Sequence, residues 1–115
     1  MNIGDMGIPT SPSKLLFGRR LREARQRAGI AQDKLGVMIG LDEASSSARM
    51  SRYENGIHEP PFLWVERLAE ALGVPTAYFY CSDDRLAEII QVYSALPEIK
   101  QKKLHSLTTG LANEN

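Results

Sequence analysis

Arg49 and Arg52 stand three residues apart in the run Ser47-Ala48-Arg49-Met50-Ser51-Arg52-Tyr53. On a helix that spacing puts both guanidinium groups on one side, and Met50 and Tyr53 fall on the other. Each guanidinium is a rigid fork of N–H donors, which fits the O6 and N7 acceptors of guanine bidentately. Buried apolar residues would hold such a helix, while its outer side would offer forks and small hydroxyls. For the arginine run Arg19, Arg20, Arg22, Arg25 and Arg27, the plainer reading is a solvated helix face, and for Arg52 it is a surface ion pair.

Other chemistries find little support. The chain has no glycine-rich phosphate loop, no HExxH and no nucleophile motif, so no catalytic residue is expected. One cysteine, Cys81, excludes a disulfide framework and a cysteine-cluster zinc site. His58 and His105 are too far apart in sequence to suggest a ligand pair, and no metal or cofactor is expected. Asp83, Asp84 and Glu88 are better explained as helix-start chemistry than as a metal site. No apolar run approaches the roughly 18 residues of a membrane span, and the first residues lack a signal-peptide pattern. A cytoplasmic protein is expected.

The 115 residues carry 14 basic and 14 acidic side chains, a formal net charge of zero. The charge is unevenly spread. Residues 1–58 hold nine Lys and Arg against six Asp and Glu, a balance of +3, and the remainder is −3. A basic half of this kind favours a polyanionic partner.

The positioning elements read as helices throughout. Residues 1–13, rich in Gly and Pro, read as a mobile tail, and Asp5 without any Lys or Arg argues against a DNA-wrapping arm. Ser13 caps a first helix to Ala28, with Phe17, Leu21, Ala24 and Ala28 inward and Gly29 as its stop. A second helix runs from Gln32 to Ile39, with Leu35, Met38 and Ile39 inward. Ala31 is a poor cap at its start, which typically costs about 1 kcal/mol. The next helix has two admissible starts. Ser46 caps a helix from Ser47 after a long turn, or Asp42 caps a longer one from about Glu43. Three consecutive serines are poor helix interior, so the later start is favoured.

A fourth helix follows from Pro61 to Leu72, with Val65, Leu68, Ala69 and Leu72 inward and Gly73 after it. Trp64 falls off that stripe, as half-buried packing or as a partner contact. Thr76 to Tyr80 forms a short fifth helix behind Pro75, with Phe79 as a core plug. Ser82-Asp83-Asp84 starts a helix carrying Leu86, Ile89, Ile90 and Tyr93, which runs to Leu96. Pro97 opens a last one with Leu104, Leu107 and Leu111 as its apolar stripe. This C-terminal hairpin either dimerises or packs back on its own domain.

The segment Gln32-Asp33-Lys34-Leu35, then Gly40, then Met50-Ser51-Arg52-Tyr53-Glu54-Asn55-Gly56 resembles the lambda-repressor-like (Cro/C1 or XRE-type) helix-turn-helix family. The resemblance spans Phe17 to about Phe79. It implies an all-α protein: a five-helix DNA-binding domain over residues 14–81, with a C-terminal helical extension over 82–115. It implies base contacts from Ser47, Ala48, Arg49 and Arg52 if the later start holds. It implies phosphate contacts from Gln32, Arg25, Lys34, Asn55 and His58, and a structural ion pair between Arg25 and Glu54. Two departures stand out. Gly36 occupies a position usually held by alanine, where two helices touch. Ten residues separate Gly40 from Ser51, longer than the family pattern by about one helical turn.

The function implied is a bacterial or phage-encoded regulator, read as a repressor, bound as a homodimer to a near-palindromic site on double-stranded DNA. The alternative is an antitoxin-like or adaptor module whose C-terminal hairpin grips a protein partner.

Overall fold

Proline lacks the backbone donor that a first helical residue would leave unpaired, and Pro12 opens the first helix. The computed structural model describes residues 12–114. Its elements are α1 (Pro12–Ala28), α2 (Gln32–Met38), α3 (Glu43–Glu54), α4 (Phe62–Leu72), a 3-10 turn (Thr76–Tyr80), α5 (Asp84–Ala95) and α6 (Glu98–Ala112). The fold is all-α, with no strand among the described residues. Ser13 lies inside the first turn of α1 rather than capping it. The expected mobile tail falls, up to residue 11, outside the described residues.

Apolar residues from five elements meet in one core. Phe17 and Leu21 of α1, Leu35 of α2, Met50 and Tyr53 of α3, Val65 and Leu68 of α4 and Phe79 of the 3-10 turn are all buried. The Phe17 and Phe79 rings lie 5.0 Å apart, centroid to centroid, closing the turn onto α1. Two expected core positions are not in it. Ala28 is exposed because the end of α1 outruns the body beneath it, and Met38 is 57% exposed because Leu35 and Ile39 already fill the covered side of α2. Leu72 is only half-buried. No helix among the described residues is long and apolar enough to cross a membrane.

The favoured start of the third helix is corrected. α3 begins at Glu43 behind Asp42, so all three serines are helical. Ser46 is fully buried where α3 crosses α2, and its hydroxyl donates to the Asp33 carbonyl at 2.6 Å. Gly36 lies directly beneath it. A Cβ there would overlap the Ser46 hydroxyl and lie 3.0 Å from Ser46 Cβ and 3.1 Å from Met50 Cγ. Glycine thus makes room for serine at this crossing. Gly36→Ala should therefore destabilise by about 1–3 kcal/mol through overpacking, despite the better helix propensity of alanine. Adding Ser46→Ala should recover part of that loss in thermal denaturation. Strict additivity of the two changes would refute the crossing as their point of contact.

The C-terminal pair is attached to α1 by charge. The Asp83 side chain caps α5, accepting from the Arg85 and Leu86 amides at 2.9 and 3.1 Å. Asp84 pairs instead with α1, taking Arg20 Nη2 at 2.8 Å and Arg19 Nη1 at 3.0 Å. The Arg19 hydrogen bond foremost, then that of Arg20, holds the Asp84 carboxyl below the usual carboxylate range. Arg20 is only 3% exposed, not solvated as its place in an arginine run suggests, and its Nε donates to the Cys81 carbonyl at 2.9 Å. Beyond this anchor the hairpin covers little of itself. Ala87 is the one buried residue of α5, and α6 has none.

Candidate nucleic-acid interface

α3 presents two faces set by its packing. Ser46, Met50, Tyr53 and Glu54 point inward. At about 100° per residue, Ala44, Ala48, Arg52 and Asn55 then point outward, with Ser47 on one flank and Arg49 on the other. Ser47, Ala48, Arg49 and Arg52 are all exposed. The Arg52 side chain has no hydrogen-bonding or ionic partner among the described residues, and the Arg49 side chain reaches only the Tyr53 hydroxyl, at 3.4 Å. The earlier helix start adds Ala44 and the half-buried Ser45 ahead of the expected base-facing set. Arg49, Arg52 and His58 line one shallow cleft between α3 and the loop after it, and Glu59 lies in the same cleft.

A carboxylate at the inner end of α3 organises the groups around it. The Glu54 side chain is fully buried. Arg25 Nε and Nη2 donate to it at 2.6 and 3.0 Å, and Arg25 Nη1 donates to the Ile30 carbonyl at 2.9 Å. The bonds to Glu54 raise the Arg25 guanidinium further above its ordinary value, so it stays charged. All three Arg25 nitrogens are thereby engaged within the chain. Gln32 Nε2 also turns to Glu54, at 3.3 Å. Lys34 and His58 are exposed, with no side-chain partner among the described residues. Asn55 is exposed just past α3 and donates to Ser51 Oγ at 3.1 Å.

Two arginines outside the expected set also join elements of the domain. Arg22 joins the Glu54 cluster through Nε at 3.2 Å and donates from Nη2 to Asn55 Oδ1 at 3.0 Å. The signal for it was its position one turn before Arg25 on the same helix face. Arg67 ties α4 to α2, donating to the Ile39 carbonyl at 3.1 Å while its guanidinium covers the Trp64 ring at 4.9 Å. Trp64 is thus half-buried packing.

A short helix crossed by a longer one, with a buried seam and an exposed basic outer face, is a helix-turn-helix unit. The chain belongs to the family described as helix-turn-helix domain, which matches residues 16–78. No curated protein matches the sequence. Among solved structures, the crystal structure of transcriptional regulator BswR is similar, with 45% sequence identity and a TM-score of 0.76. That likeness covers 85% of this chain and 98% of the other.

Proposed function

We propose that the protein is a sequence-specific DNA-binding transcription regulator of the lambda-repressor-like (XRE) type. It acts as a repressor and binds a near-palindromic operator as a homodimer. The observation that carries this reading is the outer face of α3, where Arg52 stands exposed and unpaired with Arg49 on the flank beside it. The likeness to a transcriptional regulator, over 85% of this chain and 98% of the other, supports it. Phosphate contacts would supply most of the affinity, and base contacts would supply the discrimination.

The C-terminal hairpin is the dimerisation element in this reading. Leu86, Ile89, Val92, Ile99, Leu107 and Leu111 are all exposed, more apolar surface than a two-helix hairpin leaves open without a cover. A two-fold pairing would set the recognition helices about one DNA turn (~34 Å) apart. The same uncovered surface favours a second reading, in which a protein partner takes the place of the second copy.

Selection of bound duplexes from a random DNA pool at moderate salt tests the reading. A two-fold symmetric motif is expected. With the protein folded, failure to enrich any motif would discard it in favour of the partner-binding module. Ile89→Asp with Val92→Asp should give a monomer by light scattering and keep the helical content of the wild type. A persistent dimer would remove the hairpin from the interface.

A further inference from the structure

The Glu54 cluster is unbalanced in charge. Two guanidinium groups, Arg22 and Arg25, share one buried carboxylate, which leaves one positive charge in excess. That excess belongs to Arg22 by geometry. Arg25 is 14% exposed and spends every nitrogen inside the chain, whereas Arg22 is 46% exposed and its Nη1 has no partner among the described residues. Its other two nitrogens are held, Nε by Glu54 and Nη2 by the Asn55 side chain. The fork is therefore fixed in direction while one donor pair faces outward, an arrangement that lowers the ordering cost of taking a ligand.

Asn55 also locates this donor. It follows α3 on the same outward direction as Ala48 and Arg52, so Arg22 stands at the C-terminal edge of the face that would enter a major groove. A helix seated in that groove has sugar-phosphate backbone along its edges. We propose that Arg22 anchors a phosphate of the DNA backbone through Nη1, with Glu54 and Asn55 as its positioning residues. This rests on the DNA-binding reading above. The contact reaches a non-bridging oxygen and carries no sequence information, so it fixes the register of α3 without reading a base.

Arg22→Gln and Arg22→Lys, measured for binding to the selected duplex over a range of salt concentrations, test the assignment. In Arg22→Gln the magnitude of the slope of log K against log salt should fall by about 0.9, the value of one lost phosphate contact. Affinity at moderate salt should drop about tenfold, equally for the selected and an unrelated duplex. Arg22→Lys keeps the charge and should recover most of the slope. Thermal midpoints should stay near wild type in both, because Arg25 retains its two bonds to Glu54. An unchanged slope and affinity in Arg22→Gln, with wild-type binding intact, would overturn the proposal. So would an affinity loss that tracks a fall in thermal stability, since Arg22 would then be structural only. Failure of the wild type to bind any duplex would instead overturn the DNA-binding reading, and the Arg22 assignment with it.

Discussion

Replacing Arg49 and Arg52 together with alanine should abolish discrimination between the selected operator and unrelated DNA while leaving the fold intact. Each bidentate arginine–guanine contact is worth about 1–3 kcal/mol of discrimination, so the pair should cost roughly two to four orders of magnitude. The stability cost should stay within about 0.5 kcal/mol, because both side chains are exposed surface groups. Neither side chain holds the structure: that of Arg49 has only the long bond to the Tyr53 hydroxyl, and that of Arg52 has no partner among the described residues. The single variants should differ. Arg52 points along the outward direction of α3 and should carry more of the loss than Arg49, which lies on the flank. Fluorescence anisotropy on operator and scrambled duplexes, with a melting curve for each variant, separates these terms. Undiminished discrimination in the double variant would remove α3 as the reading helix.

Much of the fold is written locally. Gly29 and Gly73 end α1 and α4 in the left-handed conformation, with φ of 70° and 68°, which glycine adopts without strain. Pro75 precedes the 3-10 turn, and Asp83 caps α5 with the chemistry its residue type predicts. The errors arise where distant residues decide. Three serines read as turn material because they compete with helical bonds. Yet Ser46 is held in α3 by the Asp33 carbonyl and by the space that Gly36 leaves, and neither is visible in the local pattern. Arg20 reads as a solvated charge because, besides the neighbouring Glu23, the partners that bury it, Asp84 and the Cys81 carbonyl, lie more than sixty residues further on. Arg22 reads as part of the same solvated face for the same reason, since Glu54 and Asn55 are over thirty residues away. Helical periodicity does mark the outward face of α3. The network behind that face depends on side chains that meet only in the folded chain.

Glu54→Ala should be the most destabilising single change at the interface, at about 3–5 kcal/mol, the usual cost of stripping a buried ion pair of one member. Four N–H groups, from Arg22, Arg25 and Gln32, lose their acceptor at once. Arg25 cannot turn outward to recover, because its Nη1 is bonded to the Ile30 carbonyl and it is largely covered. For a domain of this size the loss corresponds to a fall in Tm on the order of 10–20 °C. A fall of less than about 2 °C would show that the pair does not fasten α1 to α3. The remedy distinguishes stability from function. Arg25→Met with Glu54→Leu replaces the buried charges by apolar groups of similar volume, an exchange that is often neutral or stabilising. That double variant should regain most of the thermal stability. DNA affinity should stay low, because Arg22 and Gln32 would have lost the carboxylate that aims them. A buried charge costs stability that an apolar pair does not, so in the proposed reading its use is directional: Glu54 ties the end of α3 to Arg22 and Gln32 beside it. If affinity returned together with stability, Glu54 would be fold support alone and the orientation of Arg22 would not depend on it.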